Sequence, residues 1–454
     1  MILRNVIHQG GDGSLTPWDI ELEGGRVKTT RPSEADQNMP SPLLLAPLCH
    51  PHIHLDKAYI LTCNHKSSPT YPDYSDLGLK AGSFQEALTN TSRAKQRYTA
   101  DDLYLRGSQL LATSYGQGVT ALRAFVELDH VTGTLPLTTA MRLQKDFGHI
   151  LEMQICVFAQ DPIFSTAHAQ ANRAAITDAL AQYSPSNLIG ALGTTPYVEA
   201  SREASLANLE WAITTALAYK LHLDFHLDYN LNSSPRPLIV SVIDLLEKHG
   251  WAKRAEKSKT IVFGHCTQLT VVDDAERRTI ASAILSSKLP IHFVGLPTSD
   301  LFMMGRPSTE TRYSQHRPRG TIHVPSMIRE HGLSACLGVN NVGNAFTPFG
   351  TGDPLQLASW AVGIYQAGTD DDAALLYDCV SRRARQAIGL EIAHNDILRP
   401  GLSLRGMLLL KTAEFISVPA VDSRSVMTVV SRRRLTVRDV VWDPPESSLR
   451  SIIM

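Results

Sequence analysis

The sequence predicts an α/β protein: a (β/α)8 TIM-like barrel with a small β-sandwich domain built from both chain termini. Three observations predict it. Between residues 41 and 395, eight short apolar runs with strand character alternate with helix-like segments, the pattern of parallel strands buried on both faces. Six of these eight runs end in polar residues, which a barrel would gather at its C-terminal mouth, where active sites of this fold sit. Residues 1–40 and 396–454 are β-rich and too short to fold alone. An open doubly wound sheet satisfies the alternation equally well; the matched polar ends decide for the barrel.

The chain has 454 residues, 43% of them hydrophobic, enough for one large domain and a smaller one. Its 43 basic and 44 acidic residues set up no field for nucleic acid or an anionic membrane, so the expected partner is a small-molecule substrate. Self-association into a homo-oligomer is left open. The six cysteines lie far apart and read as reduced thiols of a cytoplasmic protein. No window reaches the ~18 apolar residues of a membrane span, and residues 1–11 lack the basic start and long apolar run of a leader.

In chain order, residues 2–7 and 18–23 are strand-like, and Gly24-Gly25 signals a hairpin. Their partners are expected at the far end, in strand-like residues 406–410, 425–430 and 435–441. The first barrel strand is the apolar run from Leu43 into His50-Pro51-His52-Ile53-His54. Some forty polar residues follow, long enough for a lid or a short helix. Leu103, Leu110 and Leu111 share a helical face. The remaining strands are read at 119–127, 153–160, 188–193, 222–226, 260–265, 289–294 and 334–339. Leu238, Val242, Leu245 and Leu246 mark a helix between two of them.

Three histidines spaced two apart leave one face of a strand. Neutral imidazole is the commonest metal ligand, so His52 and His54 on a rigid strand predict a metal site. His50 would pack beneath it. Taken singly, His226 and His265 read as satisfied core histidines; at matching strand ends they join the same mouth. Glu127 and Asp129, Gln160-Asp161, and Asn340-Asn341 fall at other strand ends. Continuing the strand alternation puts Asp228 on the face of His226 and Asp56 on that of His54. Asp228 is expected to handle protons, and Asp56 to anchor a ligand or cap the next segment. Lys57 is either a surface lysine or a hold for an anionic substrate.

Pro51-His52-Ile53-His54-Leu55-Asp56, His226, His265 and Gly338-Val339-Asn340-Asn341-Val342 with Pro348-Phe349-Gly350 resemble the amidohydrolase superfamily, in particular its cytosine deaminase-like branch. The resemblance runs over about residues 40–390. Gln160, Met304-Gly305-Arg306 and Arg317-Pro318-Arg319-Gly320 fall where that branch has comparable elements. It implies one divalent metal ion, zinc or iron, held by His52, His54 and His226, with Asn340 at the last-strand ligand position. It also implies that His265 contacts the metal's water or the substrate. Substrate contacts are expected from Gln160, Lys57, Arg306, Asn341 and Phe346. Two positions depart from the pattern. The metal-binding, proton-accepting aspartate falls on Asn340, which cannot act as a base. The proton-shuttling glutamate falls on Tyr229, a poor relay at neutral pH.

The expected function is a metal-dependent amidohydrolase-type enzyme, a hydrolase of non-peptide C–N bonds acting on a small cyclic amide, amidine or aminated heterocycle, with His265 and Asp228 managing protons. The alternatives are a metal-assisted lyase, decarboxylase or isomerase without water as nucleophile, and a non-catalytic ligand-binding barrel.

Overall fold

The structure, a computed structural model, describes residues 1–8, 15–34, 41–183, 188–306, 320–391, 398–421 and 425–454. Strands β1 (Ile2–Ile7), β2 (Pro17–Glu23), β3 (Arg26–Pro32) and β4 (Leu43–Leu45) precede the barrel strands β5 (Leu48–His54), β6 (Val119–Glu127), β7 (Glu152–Ala159), β8 (Ile189–Thr194), β9 (His222–Leu227), β10 (Ile261–His265), β11 (Ile291–Gly295) and β12 (Ala335–Leu337). The eight barrel strands lie in sequential order, each pair parallel. The ring closes through the histidine strand itself. His54 N–H donates to the Asn340 carbonyl at 2.9 Å, and Asn340 N–H to the His52 carbonyl at 3.0 Å. The predicted (β/α)8 barrel is the observed fold.

Every residue of β5, β6, β9, β10 and β11 is buried, as strands between a filled interior and an outer helical layer must be. The polar stretch after β5 holds helix Phe84–Lys95, begun by Ser83, whose hydroxyl accepts from Glu86 N–H at 3.1 Å. That helix carries Lys95 to the barrel mouth.

The small domain is a six-stranded sheet in the order β16-β13-β4-β1-β2-β3, with β13 (Leu408–Leu410) and β16 (Arg450–Ile452) from the C-terminal end. Leu3, Val6, Ile20, Leu22, Leu44, Met407 and Ile453 pack its core. Both chain ends build it, and β4 extends it slightly past residue 40. A separate hairpin pairs β14 (Phe415–Pro419) with β15 (Val426–Val430), and all ten of its strand residues are exposed.

One expected strand is a helix. Residues 435–441 lead into helix Val437–Trp442, where Thr436 Oγ1 accepts from Asp439 N–H and Asp439 Oδ2 accepts from the Thr436 amide. This local capping box outweighs the β-branched composition. Val437, Val440 and Val441 have helical spacing, and the last two join the barrel's core. Among the described residues no helix is long and apolar enough to cross a membrane.

Candidate metal centre and active site

The three predicted ligand histidines converge. Ligand atoms of His52 and His54 on β5 and His226 on β9 all lie within 4.8 Å of one another, and the Nε2 atoms of His52 and His226 are 2.7 Å apart. All three are buried, and burial pushes each imidazole well below its ordinary pKa, so they are neutral and can offer lone pairs. Asn340 lines the same cavity, and its Oδ1 is buried without a hydrogen-bond partner. Three neutral imidazoles and an unpartnered amide oxygen are a donor set that suits a divalent cation such as zinc or iron.

His50 does not share this face. The β5–β6 register slips between His50 and Ile53, and this bulge reverses the alternation. His50 points instead to the helical layer, with Nε2 3.2 Å from Ser114 Oγ.

His265, at the end of β10, sits beside the ligands, its ring centroid 5.1 Å from that of His226. Its Nδ1 is 2.7 Å from Asp300 Oδ1, and Thr321 Oγ1 donates to Asp300 Oδ2 at 3.0 Å. The Tyr229 ring covers the imidazole at 4.1 Å. Asp300 is fully buried in helix Pro297–Met303; burial raises its carboxyl, with His265 pulling the other way. Sequence reasoning missed Asp300. The available signal was that the seventh strand run had no polar group at its end.

Asp228 is not part of this arrangement. Its backbone turns left-handed (φ +47°) directly after β9, so the alternation from His226 stops. The carboxylate accepts from Leu238 N–H at 2.8 Å and Ile239 N–H at 3.3 Å, anchoring helix Leu238–Lys248. The carboxylate beside His265 is that of Asp300, not Asp228.

Lys57 is buried rather than on the surface. Its Nζ pairs with Glu127 Oε1, lies 3.5 Å from Gln160 Oε1, and sits 5.0 Å from the Phe346 ring centroid. Glu127 Oε2 meets Lys95 Nζ at 2.6 Å, and Lys95 also reaches Asp129 at 2.8 Å and Asp161 at 3.3 Å. Burial would raise the Glu127 carboxyl, but Lys57 and Lys95 outweigh it and hold it below its usual value. Asp56 accepts from Glu127 N–H at 3.0 Å. Burial, then the Glu127 charge, pushes Asp56 up to about 6.

Asp129 gives a pH prediction. Its burial is outweighed by Lys95 and by the Val131 and Thr132 amides, so its carboxyl is depressed. A depressed carboxyl contributes stability above its unfolded pKa of about 3.9, lost as pH falls through the folded value. Asp129→Asn is therefore expected to be less stable than wild type at pH 7, with the gap in urea midpoints closing below about pH 4. A gap constant from pH 7 to 3 would show that the charge contributes nothing.

The mouth holds a small, half-open cavity of about 20 Å³, lined by His54, Lys57, Gln160, His226, His265, Asn340, Asn341 and Phe346 together with Phe84, Tyr197, Tyr229 and Ser299. Arg306 is not there. Gly305 turns the chain at φ +64°, and the Arg306 guanidinium donates to the Ala81 carbonyl at 3.1 Å while lying 4.6 Å from the Phe302 ring centroid. Residues 317–319 lie outside the described residues. A larger groove of about 370 Å³ runs along the outer layer beside Arg277, His323 and His331. Arg277 is engaged by the Leu269 carbonyl and Asp274, and His323 by Ser326, so no converging ligand set is offered there.

Barrel, terminal sheet and histidine-lined mouth together define a fold shared with solved deaminase and aminohydrolase structures. No protein-family model matches the chain, and no curated protein does. Similar structures include 5-methylcytosine deaminase from Klebsiella pneumoniae liganded with 5-fluorocytosine (TM-score 0.72, 19% identity, covering 90% of this chain and 91% of that one). N-isopropylammelide isopropylaminohydrolase from Burkholderia multivorans matches with TM-score 0.67 and 19% identity over 98% of this chain and 94% of that one. An adenosine deaminase from Xanthomonas campestris with bound zinc matches with TM-score 0.56 and 12% identity over 96% and 87%. At these identities the likeness establishes the fold.

Proposed function

We propose that the chain is a metal-dependent amidohydrolase-type enzyme, of the cytosine deaminase-like kind, that hydrolyses a C–N bond of a small cyclic amide, amidine or aminated heterocycle. The observation that carries this reading is the convergence of His52, His54, His226 and the unpartnered Asn340 oxygen at a barrel mouth beside the His265–Asp300 pair. A divalent ion held there, zinc or iron, supplies Lewis acidity and a water whose pKa falls to about 7.

The chain's own residues do the rest. Asp300 holds His265 Nδ1, leaving Nε2 as the ring's remaining nitrogen for a proton taken from water and returned to the departing nitrogen. Asn340 cannot take that proton. Burial raises the Tyr229 phenol well above its ordinary pKa, so Tyr229 stays neutral and packs over His265. Gln160, Asn341, Lys57 and Phe346 border the space for the ring. The substrate is a small molecule, and the free thiols, five of the six buried, suit a cytoplasmic setting.

A second reading has a specific observation behind it: among the described residues, none that lines the cavity is a carboxylate. That fits a lyase, decarboxylase or isomerase in which water is not the nucleophile. The test is chelator-reversible release of ammonia or amine from a panel of cyclic amides and aminoheterocycles, with product masses recorded. Nitrogen release that stops with chelator and returns with metal is expected. Metal-dependent loss of a ring without nitrogen release would favour the second reading. Binding without turnover would leave a ligand-binding barrel.

A further inference from the structure

Ligand histidine His52 has a buried neighbour that the site described so far does not use. Its Nε2 faces the other ligands, 2.7 Å from His226 Nε2, which leaves Nδ1 on the far edge of the ring. A neutral imidazole that offers the Nε2 lone pair carries its proton on Nδ1, and a buried N–H needs an acceptor. His52 Nδ1 has no hydrogen-bond partner, and neither has Asp224 Oδ1, 3.9 Å from it. Both side chains are fully buried. The gap is longer than a hydrogen bond of ~2.7–3.2 Å, and it separates two orphaned atoms, one that can donate and one that can accept.

The surroundings hold both groups in place. Asp224 stands two residues before His226 on β9, on the same face of that strand. Its other oxygen, Oδ2, accepts from Arg123 Nη1 at 2.7 Å, and Arg123 Nε donates to Gln154 Oε1 at 2.6 Å. Gln154 in turn donates to the Ile388 carbonyl at 3.2 Å. Burial pushes the Asp224 carboxyl up, and Arg123 draws it back. An ion pair this deep is often no more stabilising than apolar side chains of similar volume, so stability alone does not account for it. The His52 ring is fixed as well. The Phe125 ring lies 4.2 Å from it between centroids, and Gly264 makes room at the Nδ1 edge, where a Cβ would come within 3.2 Å of Cε1 and 3.5 Å of Nδ1.

We infer that Asp224, fixed by Arg123, is a positioning residue for His52: its free carboxylate oxygen accepts from Nδ1–H and so holds the ring in the tautomer that presents Nε2 to the metal. This rests on the metal-bearing reading of the site proposed above. The charge of Arg123 is what keeps the carboxylate an acceptor and aims Oδ1 away from itself.

The test is zinc affinity, read by competition with a chelator, in two double variants that both remove the buried charges and differ in what meets Nδ1. Neither leaves an unpaired ion, so both are expected to melt close to the wild type. In Arg123→Met/Asp224→Asn the amide can turn its oxygen to Nδ1–H, whereas in Arg123→Met/Asp224→Val nothing replaces the acceptor. The second is expected to bind zinc about 10–100-fold more weakly than the first. A pair that served the fold alone would give no such rescue by the amide. Asp224→Asn by itself is an independent reading. Arg123 can only donate and claims the amide oxygen, which leaves an NH2 toward His52 Nδ1, so zinc binding about tenfold weaker than wild type is expected. Equal affinity in the two double variants, or wild-type affinity in Asp224→Asn, would overturn the inference. Zinc uptake by the wild-type chain keeps the two claims apart. Uptake with equal double variants sinks only the role of Asp224, whereas no uptake sinks the metal site and this inference with it.

Discussion

Lys95→Met is expected to destabilise the fold by about 3–5 kcal/mol, the cost of breaking a buried ion pair from one side. Lys95 is 5% exposed and meets Glu127, Asp129 and Asp161. Burial alone would lower its ammonium, yet the carboxylates raise it well above its ordinary value, so the ion pairing exceeds the desolvation cost. Without it, Glu127 keeps Lys57 as its cation, and Asp129 keeps the Val131 and Thr132 amides and the Thr132 hydroxyl. Urea unfolding of the variant reads the effect as a lower midpoint at constant slope. Lys95→Met/Glu127→Gln should recover part of the loss, because one uncompensated charge goes with it. The surface pair Lys28–Glu21, with both side chains about half exposed, should cost under ~1 kcal/mol when broken. A loss in Lys95→Met no larger than that would show that the cluster does not support the barrel mouth.

The second large effect is on turnover. For the ring that the substrate panel returns, His265→Ala and Asp300→Asn are each expected to lower kcat by about 10²–10⁴ while metal content stays at the wild-type level. The reason is geometric: His265 sits beside the ligand histidines, and Asp300 fixes which ring nitrogen is free. Asp228→Asn is the contrasting variant. Its carboxylate serves the amides of Leu238 and Ile239, and an asparagine oxygen can still accept there, so turnover should stay within a few-fold. A drop in Asp228→Asn as large as that in Asp300→Asn would return the proton to Asp228 and undo the role proposed for Asp300.

The sequence carried the barrel well because its strands are marked twice, by apolar runs and by polar residues where the runs stop. The histidine cluster was legible for the same reason: His52, His54 and His226 occupy strand ends, where position along the chain fixes direction in space. What failed was extrapolation beyond regular structure. His50 was placed with His52 and His54 by alternation, and a register shift between His50 and Ile53 undoes the count. Asp228 was placed by continuing β9 past its end, where φ becomes positive. The β-branched run at 435–441 hid a helix whose start is set by Thr436 and Asp439. Asp300 and Lys95 could not be seen because each comes from a helix outside the strand pattern and reaches the site only through tertiary packing. Arg306 shows the converse, since a similar neighbourhood in sequence did not bring the side chain into the mouth.

The central claim is that this barrel mouth holds a divalent metal ion through His52, His54, His226 and Asn340. The most direct measurement is metal content of protein purified without chelator, paired with X-ray absorption at the metal edge. The expected result is about one zinc or iron per chain with a first shell of nitrogen and oxygen at ~2.0–2.2 Å, lost in His54→Ala and in His226→Ala. A chain that carries no metal and takes up none when it is supplied, or one whose metal has sulfur neighbours and survives both substitutions, would contradict it.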